Sequence, residues 1–191
     1  GVVLTTFAMS SLATSGPATN GLGDGMVLYD QLADRWVLME FTGGSNGFAV
    51  YVSQTSDPTN GLWNNYFFAT AQFPDYPKIS VWPDAYYITT NESSPAVYAL
   101  DRTNMLTGAA ARPMQRFAGP SLAGLPFQAF SPADLDGTTT PSAGNPAFFL
   151  RQNDDELNSP ASANPANDFV QLWQFQVDFT TPANSAFTQL L

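Results

Sequence analysis

Two residue types are missing from this 191-residue chain, which has no cysteine and no histidine. Without cysteine there are no disulfides, thiol nucleophiles or zinc–thiolate sites. Without histidine, Ser-His-Asp triads, imidazole general bases and most transition-metal sites are excluded as well. The composition therefore shows first which chemistry this protein does not use.

Positive charge is scarce, because the chain has one lysine, Lys78, and five arginines but 16 acidic residues, which gives a net charge of −10. A nucleic-acid partner is excluded because phosphates require clustered Lys and Arg. No apolar run reaches the roughly 18 residues that span a bilayer, so we predict no membrane span. Low charge, a single lysine and abundant Thr, Ser, Asn, Gly and Pro resemble extracellular bacterial proteins, and we predict an extracellular or cell-surface location.

The chain has almost no helical periodicity, because Gly or Pro interrupts it every few residues. Short runs rich in Val, Tyr, Phe and Trp alternate with turn clusters instead, which predicts an all-β fold. Twelve strands are predicted in three groups of four. They are 26–29, 35–41, 48–52 and 65–69; 78–82, 85–89, 96–100 and 114–118; and 127–130, 147–150, 169–177 and 186–190.

The three groups define repeated units at about 24–70, 76–118 and 126–191 within a single β domain, 1–191. Repeats of about 40–50 residues with four strands each are typical of β-propeller blades. A two-sheet β-sandwich is the alternative. Because propellers close with about four to eight blades, we expect this chain to be part of a larger propeller. Further blades or copies of itself would then cover the two outer sheet faces.

Four segments resemble a known group of proteins: 28–36, 53–58, 77–84 and 132–137. They are similar to segments of large secreted or surface bacterial β-propeller proteins, and most of the chain shares this similarity. The resemblance implies a fold and a location but no catalytic residues. Sialidase-type propellers carry the Asp-box Ser-x-Asp-x-Gly-x-Thr-Trp, of which this chain keeps only an acidic start at Asp30 and a tryptophan at Trp36.

The most specific polar motif is Asp134-Leu135-Asp136-Gly137. Two carboxylates at i and i+2 before a glycine are suited to wrap Ca²⁺, which takes six to eight oxygens. We predict Asp134 and Asp136 as metal ligands, joined by Asn145 or by a carboxylate of the acidic run 153–156. A turn held by Asx hydrogen bonds explains the two aspartates equally well, and a solvated loop tip explains the run.

Three aspartates follow the first strand of each unit: Asp30, Asp84 and Asp134. Equivalent places in successive blades ring one face of a propeller, where two carboxylates can form the acid/base pair of a glycosidase. Alternatively, the aspartate belongs to the turn of the repeat. Trp63, Trp82 and Tyr86 are candidates for stacking on sugar rings, or for the core.

Every strong signal in the sequence concerns architecture, and none is a complete catalytic set. The leading hypothesis is an extracellular, non-catalytic scaffold or binding module that recognises a glycan or a surface protein. The alternative is a carbohydrate-active hydrolase that uses Asp30, Asp84 and Asp134. Apart from Ca²⁺, no cofactor is expected.

Overall fold

The structure is a computed structural model, and it describes residues 1–122, 127–137, 139–153, 166 and 168–191. Its strands form three four-stranded antiparallel sheets, each with its strands in chain order. The first sheet contains β1 (Gly21–Asp30), β2 (Arg35–Thr42), β3 (Gly47–Ser53) and β4 (Trp63–Ala69). The second contains β5 (Asp75–Val81), β6 (Tyr86–Asn91), β7 (Ala96–Leu100) and β8 (Gln115–Ala118). The third contains β9 (Ser131–Pro132), β10 (Ala147–Asn153), β11 (Phe169–Gln176) and β12 (Ala186–Gln189).

The all-β fold class is confirmed. A single α-helix, α1 (Arg102–Thr107), is seen in the described ranges, where it joins β7 to β8. Short 3-10 turns lie at Met9–Leu12, Pro17–Thr19, Pro58–Asn60 and Pro182–Asn184. Over the same ranges, the structure has no helix of the length and apolar character that a bilayer crossing requires.

The predicted strand 127–130 is wrong. Phe130 packs inward, with ring centroids 5.5 Å from Trp173 and 5.2 Å from Phe187. Pairing with β10 begins only at Ser131, opposite Leu150. The aromatic residues of 127–130 therefore do not indicate strand pairing, since Phe130 packs in the core. Pro132 also lacks the backbone N–H that a longer β-ladder would need.

The sheets pack face to face in series. Val37, Met39 and Val50 of the first sheet meet Ile88 and Tyr98 of the second. The opposite face of the second sheet carries Tyr87, Val97 and Ala99, which pack against Phe149, Trp173 and Phe175 of the third. The first strands of neighbouring sheets are in contact, β1 with β5 and β5 with β9. This arrangement fits a propeller-like fold and a β-sandwich alike.

The two outer faces of this stack differ. Residues 9–20 cover the outer face of the first sheet, where Ala18 packs among Leu38, Ala49 and Tyr51. The Tyr51 hydroxyl donates a hydrogen bond to the Ala18 carbonyl at 2.9 Å. The outer face of the third sheet has exposed apolar side chains instead. The chain therefore covers one of its outer faces itself.

Candidate functional site

Asp30, the last residue of β1, is completely buried and holds the first two sheets together. Arg102 of α1 donates Nε–H to Oδ2 at 2.7 Å and Nη2–H to Oδ1 at 2.9 Å. The Tyr86 hydroxyl donates to Oδ2 at 2.8 Å. Burial, followed by the adjacent carboxylate, raises the pKa of Tyr86. With both oxygens engaged by a guanidinium, Asp30 stabilises the packing of the two sheets.

Asp84 lies in the turn between β5 and β6, beside a small cavity of about 210 Å³. The Tyr87 hydroxyl lies 3.3 Å from each carboxylate oxygen. Burial raises the pKa of Asp84, while hydrogen bonds and the charge of Arg102 oppose the shift. Asp84 therefore holds a proton more readily than an ordinary aspartate does.

Asp134 follows β9 and is exposed, yet its Oδ1 accepts a hydrogen bond from the Val81 amide at 2.7 Å. Next to it, the Leu135 carbonyl accepts a hydrogen bond from the Gln31 side chain. Arg102 Nη1 donates a hydrogen bond to the Pro83 carbonyl at 3.1 Å. These contacts join the turns that contain Asp30, Asp84 and Asp134 at one end of the sheets. The three aspartates lie in these turns, and each has different partners. Their catalytic role stays a prediction.

The calcium hypothesis for Asp134 and Asp136 also stays a prediction. Asp136 is exposed, and the Asn145 carbonyl accepts a hydrogen bond from the Trp82 indole at 3.1 Å. No group of three or more acidic side chains within metal-binding reach exists among the residues that the structure describes. Of the run 153–156, only Asn153 is described, and residues 154–156 lie outside the described residues.

The aromatic residues proposed for sugar stacking are part of the core: Trp63, Trp82 and Tyr86 are all buried. Tyr76 and Phe127 are both exposed and form an aromatic pair, with ring centroids 4.6 Å apart in an edge-to-face arrangement. Both line an open groove of about 680 Å³. Tyr76 is near the start of β5, so the groove extends toward the end of the sheets opposite the aspartates.

All three sheets contribute to this groove. Met26 comes from β1, Ile79 from β5 and Leu150 from β10. Polar groups are few and include the side chains of Ser131 and Gln152. A mostly apolar cleft with a few polar groups is the usual form of a ligand site.

A β-bulge presents Tyr76 to the groove. The pairing of β5 with β6 shifts register between Asp75 and Lys78, and Tyr76 has φ of +48°. Positive φ is rare for an aromatic residue and costs about 1–3 kcal/mol. The neighbouring strand β1 has a matching irregularity, where Asp24 has φ of +50°. Bulges and strained residues concentrate at functional sites, where they redirect side chains.

Lys78, the single lysine of the chain, also lines the groove. Its ammonium lies 3.3 Å from the centroid of the Tyr76 ring and donates to the Pro77 carbonyl at 3.0 Å. Burial lowers the pKa of Lys78, and the charges of Asp24 and Asp75 oppose this shift. The groove thus combines one cation with the rings of Tyr76, Phe127 and Phe130, of which the first two are exposed.

Sequence reasoning missed this groove because it began the fifth strand at 78 and left Tyr76 outside. The available signal was the proximity of Tyr76 to the only lysine in the chain. No family model, curated protein or solved structure was found to match this chain.

Proposed function

We propose that this protein is an extracellular, non-catalytic binding module that takes a glycan in the groove beside Tyr76 and Phe127. It would act as a propeller-like domain of a secreted or surface bacterial protein, as its composition and sequence resemblance suggest. The observation that carries the proposal is the exposed pair of Tyr76 and Phe127 in an open cleft, where a strained bulge presents Tyr76.

The chemistry of the groove suits a sugar. The C–H faces of a pyranose ring pack on exposed aromatic side chains, while its hydroxyls need donors and acceptors. Gln152 supplies both, Ser131 supplies a hydroxyl and Lys78 supplies N–H donors. The volume of about 680 Å³ lies within the range of about 300–1,000 Å³ that is typical of ligand pockets.

Binding is favoured over hydrolysis by the distribution of carboxylates. A glycosidase needs two of them, about 5–9.5 Å apart, on either side of the scissile bond. The described residues that line the groove include no Asp or Glu. At the other end of the sheets, Asp30 is engaged by Arg102 and Tyr86.

We expect Tyr76→Ala and Phe127→Ala each to weaken glycan binding at least about tenfold, or roughly 1.4 kcal/mol. Affinity electrophoresis on a panel of neutral and acidic polysaccharides, followed by calorimetry on the best ligand, measures this loss. Tyr29→Ala is the matched control, because Tyr29 and Tyr76 are both 45% exposed. Tyr29 lies near the C-terminal end of β1, at the end of the sheets opposite Tyr76. An equal loss in Tyr29→Ala, or no binding by the wild type, would contradict the proposal.

The hydrolase alternative is tested on the same panel by release of reducing ends. We expect none from the wild type. Turnover that Asp84→Asn abolishes in a folded protein would favour the enzyme, because Asp84 has the raised pKa of a general acid.

A further inference from the structure

Lys78 is the one charged side chain among the described residues that line the groove. It lies on β5, directly after the bulge that presents Tyr76. The chain has a single lysine and a net charge of −10. The positive charge of that lysine is therefore placed in a cleft whose described lining contains no carboxylate.

The ammonium of Lys78 forms no ion pair with a described carboxylate. The ion pairs of the described residues join Arg102 to Asp30, Arg112 to Asp101 and Arg116 to Glu92. An ammonium has three N–H donors, and Lys78 gives one of them to the Pro77 carbonyl at 3.0 Å. The charge also lies 3.3 Å from the centroid of the Tyr76 ring, whose face attracts a cation. Donor capacity remains for an acceptor that enters from the groove.

Two aspartates act on Lys78 through their charge without lining the groove. Asp24 is exposed at the irregularity of β1, and Asp75 is the first residue of β5. Burial favours the neutral form of Lys78, and the charges of both aspartates favour its protonated form. Because neither aspartate lines the groove, they support the cation without occupying the position that a ligand would take.

A ligand that packs on the aromatic pair also meets this charge, because the ammonium lies over the Tyr76 ring. Hydrogen bonds between ionised groups are roughly twice as strong as those between neutral groups. We infer that the groove selects an acidic glycan, whose carboxylate or sulfate pairs with Lys78 while its sugar rings contact Tyr76 and Phe127. This inference rests on the proposed function, for which it names the ligand class and the residue that selects it.

The charge of the whole chain determines which acidic glycans are suitable probes. A net charge of −10 repels a dense polyanion, and the groove has one cation with which to oppose this repulsion. Salt at about 0.15 M screens charges more than about 8 Å apart in solvent, and it weakens contacts in a partly buried site less. Glycans with acidic groups separated by neutral sugars, measured at this salt concentration, are therefore the probes of choice.

Calorimetry on a panel of acidic glycans and their neutral forms tests the selection. Hyaluronan and partly esterified pectin have carboxylates among neutral sugars, and κ-carrageenan has sulfates. Carboxyl reduction and desulfation give the matched neutral forms. We expect the tightest ligand of the panel to be acidic, and its neutral form to bind at least about tenfold more weakly. Whether that ligand is a carboxylate or a sulfate glycan identifies the source of the anion.

Lys78→Met removes the charge and keeps most of the apolar stem. We expect it to bind the acidic ligand at least about tenfold more weakly, and the neutral form less than about twofold more weakly. If Lys78 only held Tyr76 in its strained conformation, both forms would lose affinity equally, which would overturn the inference. Lys78→Arg keeps the charge and should keep the preference for the acidic form. The comparison of the two glycan forms on the wild type does not depend on any variant.

Arg35→Met is the matched control for the loss of one positive charge. Arg35 begins β2 at the opposite end of the sheets and donates to the carbonyls of Ala33 and Asp34. It should leave the preference for the acidic form unchanged, and an equal loss in Arg35→Met and Lys78→Met would overturn the inference. A wild type that binds a neutral glycan as tightly as its acidic form would overturn the inference alone. A wild type that binds no glycan would overturn the proposed function as well.

Discussion

Glu40 is a buried carboxylate that lacks a full set of hydrogen bonds. It lies on the outer face of the first sheet, is 7% exposed, and its Oε1 has no hydrogen-bond partner. Gly21 approaches so closely that a Cβ at this position would overlap the carboxylate. Burial raises the pKa of Glu40. The folded state therefore favours the neutral form of this side chain.

The linkage of this shift to stability has a definite sign. Because the folded pKa lies above the unfolded one, the folded state binds the proton more tightly, and stability falls as pH rises between these two values. We expect Glu40→Gln, which stays neutral, to raise the free energy of unfolding by about 1–2 kcal/mol at neutral pH. Near pH 4 the gain should disappear, since Glu40 is then largely protonated in both states.

Thermal unfolding of wild type and Glu40→Gln at both pH values measures this difference. The melts of the two proteins near pH 4 serve as the control, because Glu40 is largely protonated there. A variant that is destabilised equally at both pH values would show that the ionised carboxylate is well accommodated.

At the scale of elements, the contact between Asp30 and Arg102 joins the turn after β1 to the start of α1. The Arg102 side chain is 10% exposed and the Asp30 side chain is fully buried. Removing one member of a buried pair leaves an uncompensated charge, which typically costs about 3–5 kcal/mol. We expect a loss of this size in Arg102→Met.

Chemical denaturation measures the loss, and a second substitution separates charge from packing. Adding Asp30→Asn to Arg102→Met removes the unpaired carboxylate and should restore part of the stability. Arg35→Met is the control, because the described hydrogen bonds of Arg35 go to the carbonyls of Ala33 and Asp34. A loss in Arg102→Met no larger than in Arg35→Met would show that the buried pair contributes little.

Most strands were predictable because runs of Val, Tyr and Phe between turn residues carry the signal locally. The run Tyr86-Tyr87-Ile88 is continuously apolar, since both faces of the second sheet are covered. Helix α1 was not predictable from periodicity because it has only six residues. Its determinants are caps: Asp101 Oδ1 accepts from the Asn104 amide at 3.3 Å, and Gly108 ends the helix with φ of +75°.

The candidate site was less predictable than the fold. The sequence spacing predicted an aspartate after the first strand of each repeated unit. It did not predict Arg102 as the partner of Asp30, because the two residues are 72 positions apart in the chain. The groove depends on contacts between three sheets and on a bulge at Tyr76. Such contacts are set by tertiary packing, which a local pattern does not encode.

At the scale of the whole molecule, the sheets differ in how their faces are covered. The second sheet lies between the other two, and every residue of β7 is buried. The third sheet has one covered face and one open face, and β11 alternates between buried and more exposed residues toward its C-terminal half. Local stability should follow this difference, because opening a strand is easier where fewer apolar contacts hold it.

Strands β7 and β11 form a matched pair for testing this difference, since each is the third strand of its sheet and has a paired strand on both sides. Their ladder hydrogen bonds are therefore comparable, and burial is what distinguishes them. In hydrogen exchange, we expect the amides of β7 to be protected at least about tenfold more strongly than those of β11, or roughly 1.4 kcal/mol. Equal protection would mean that the sheets open together as one cooperative unit, despite the open face of the third.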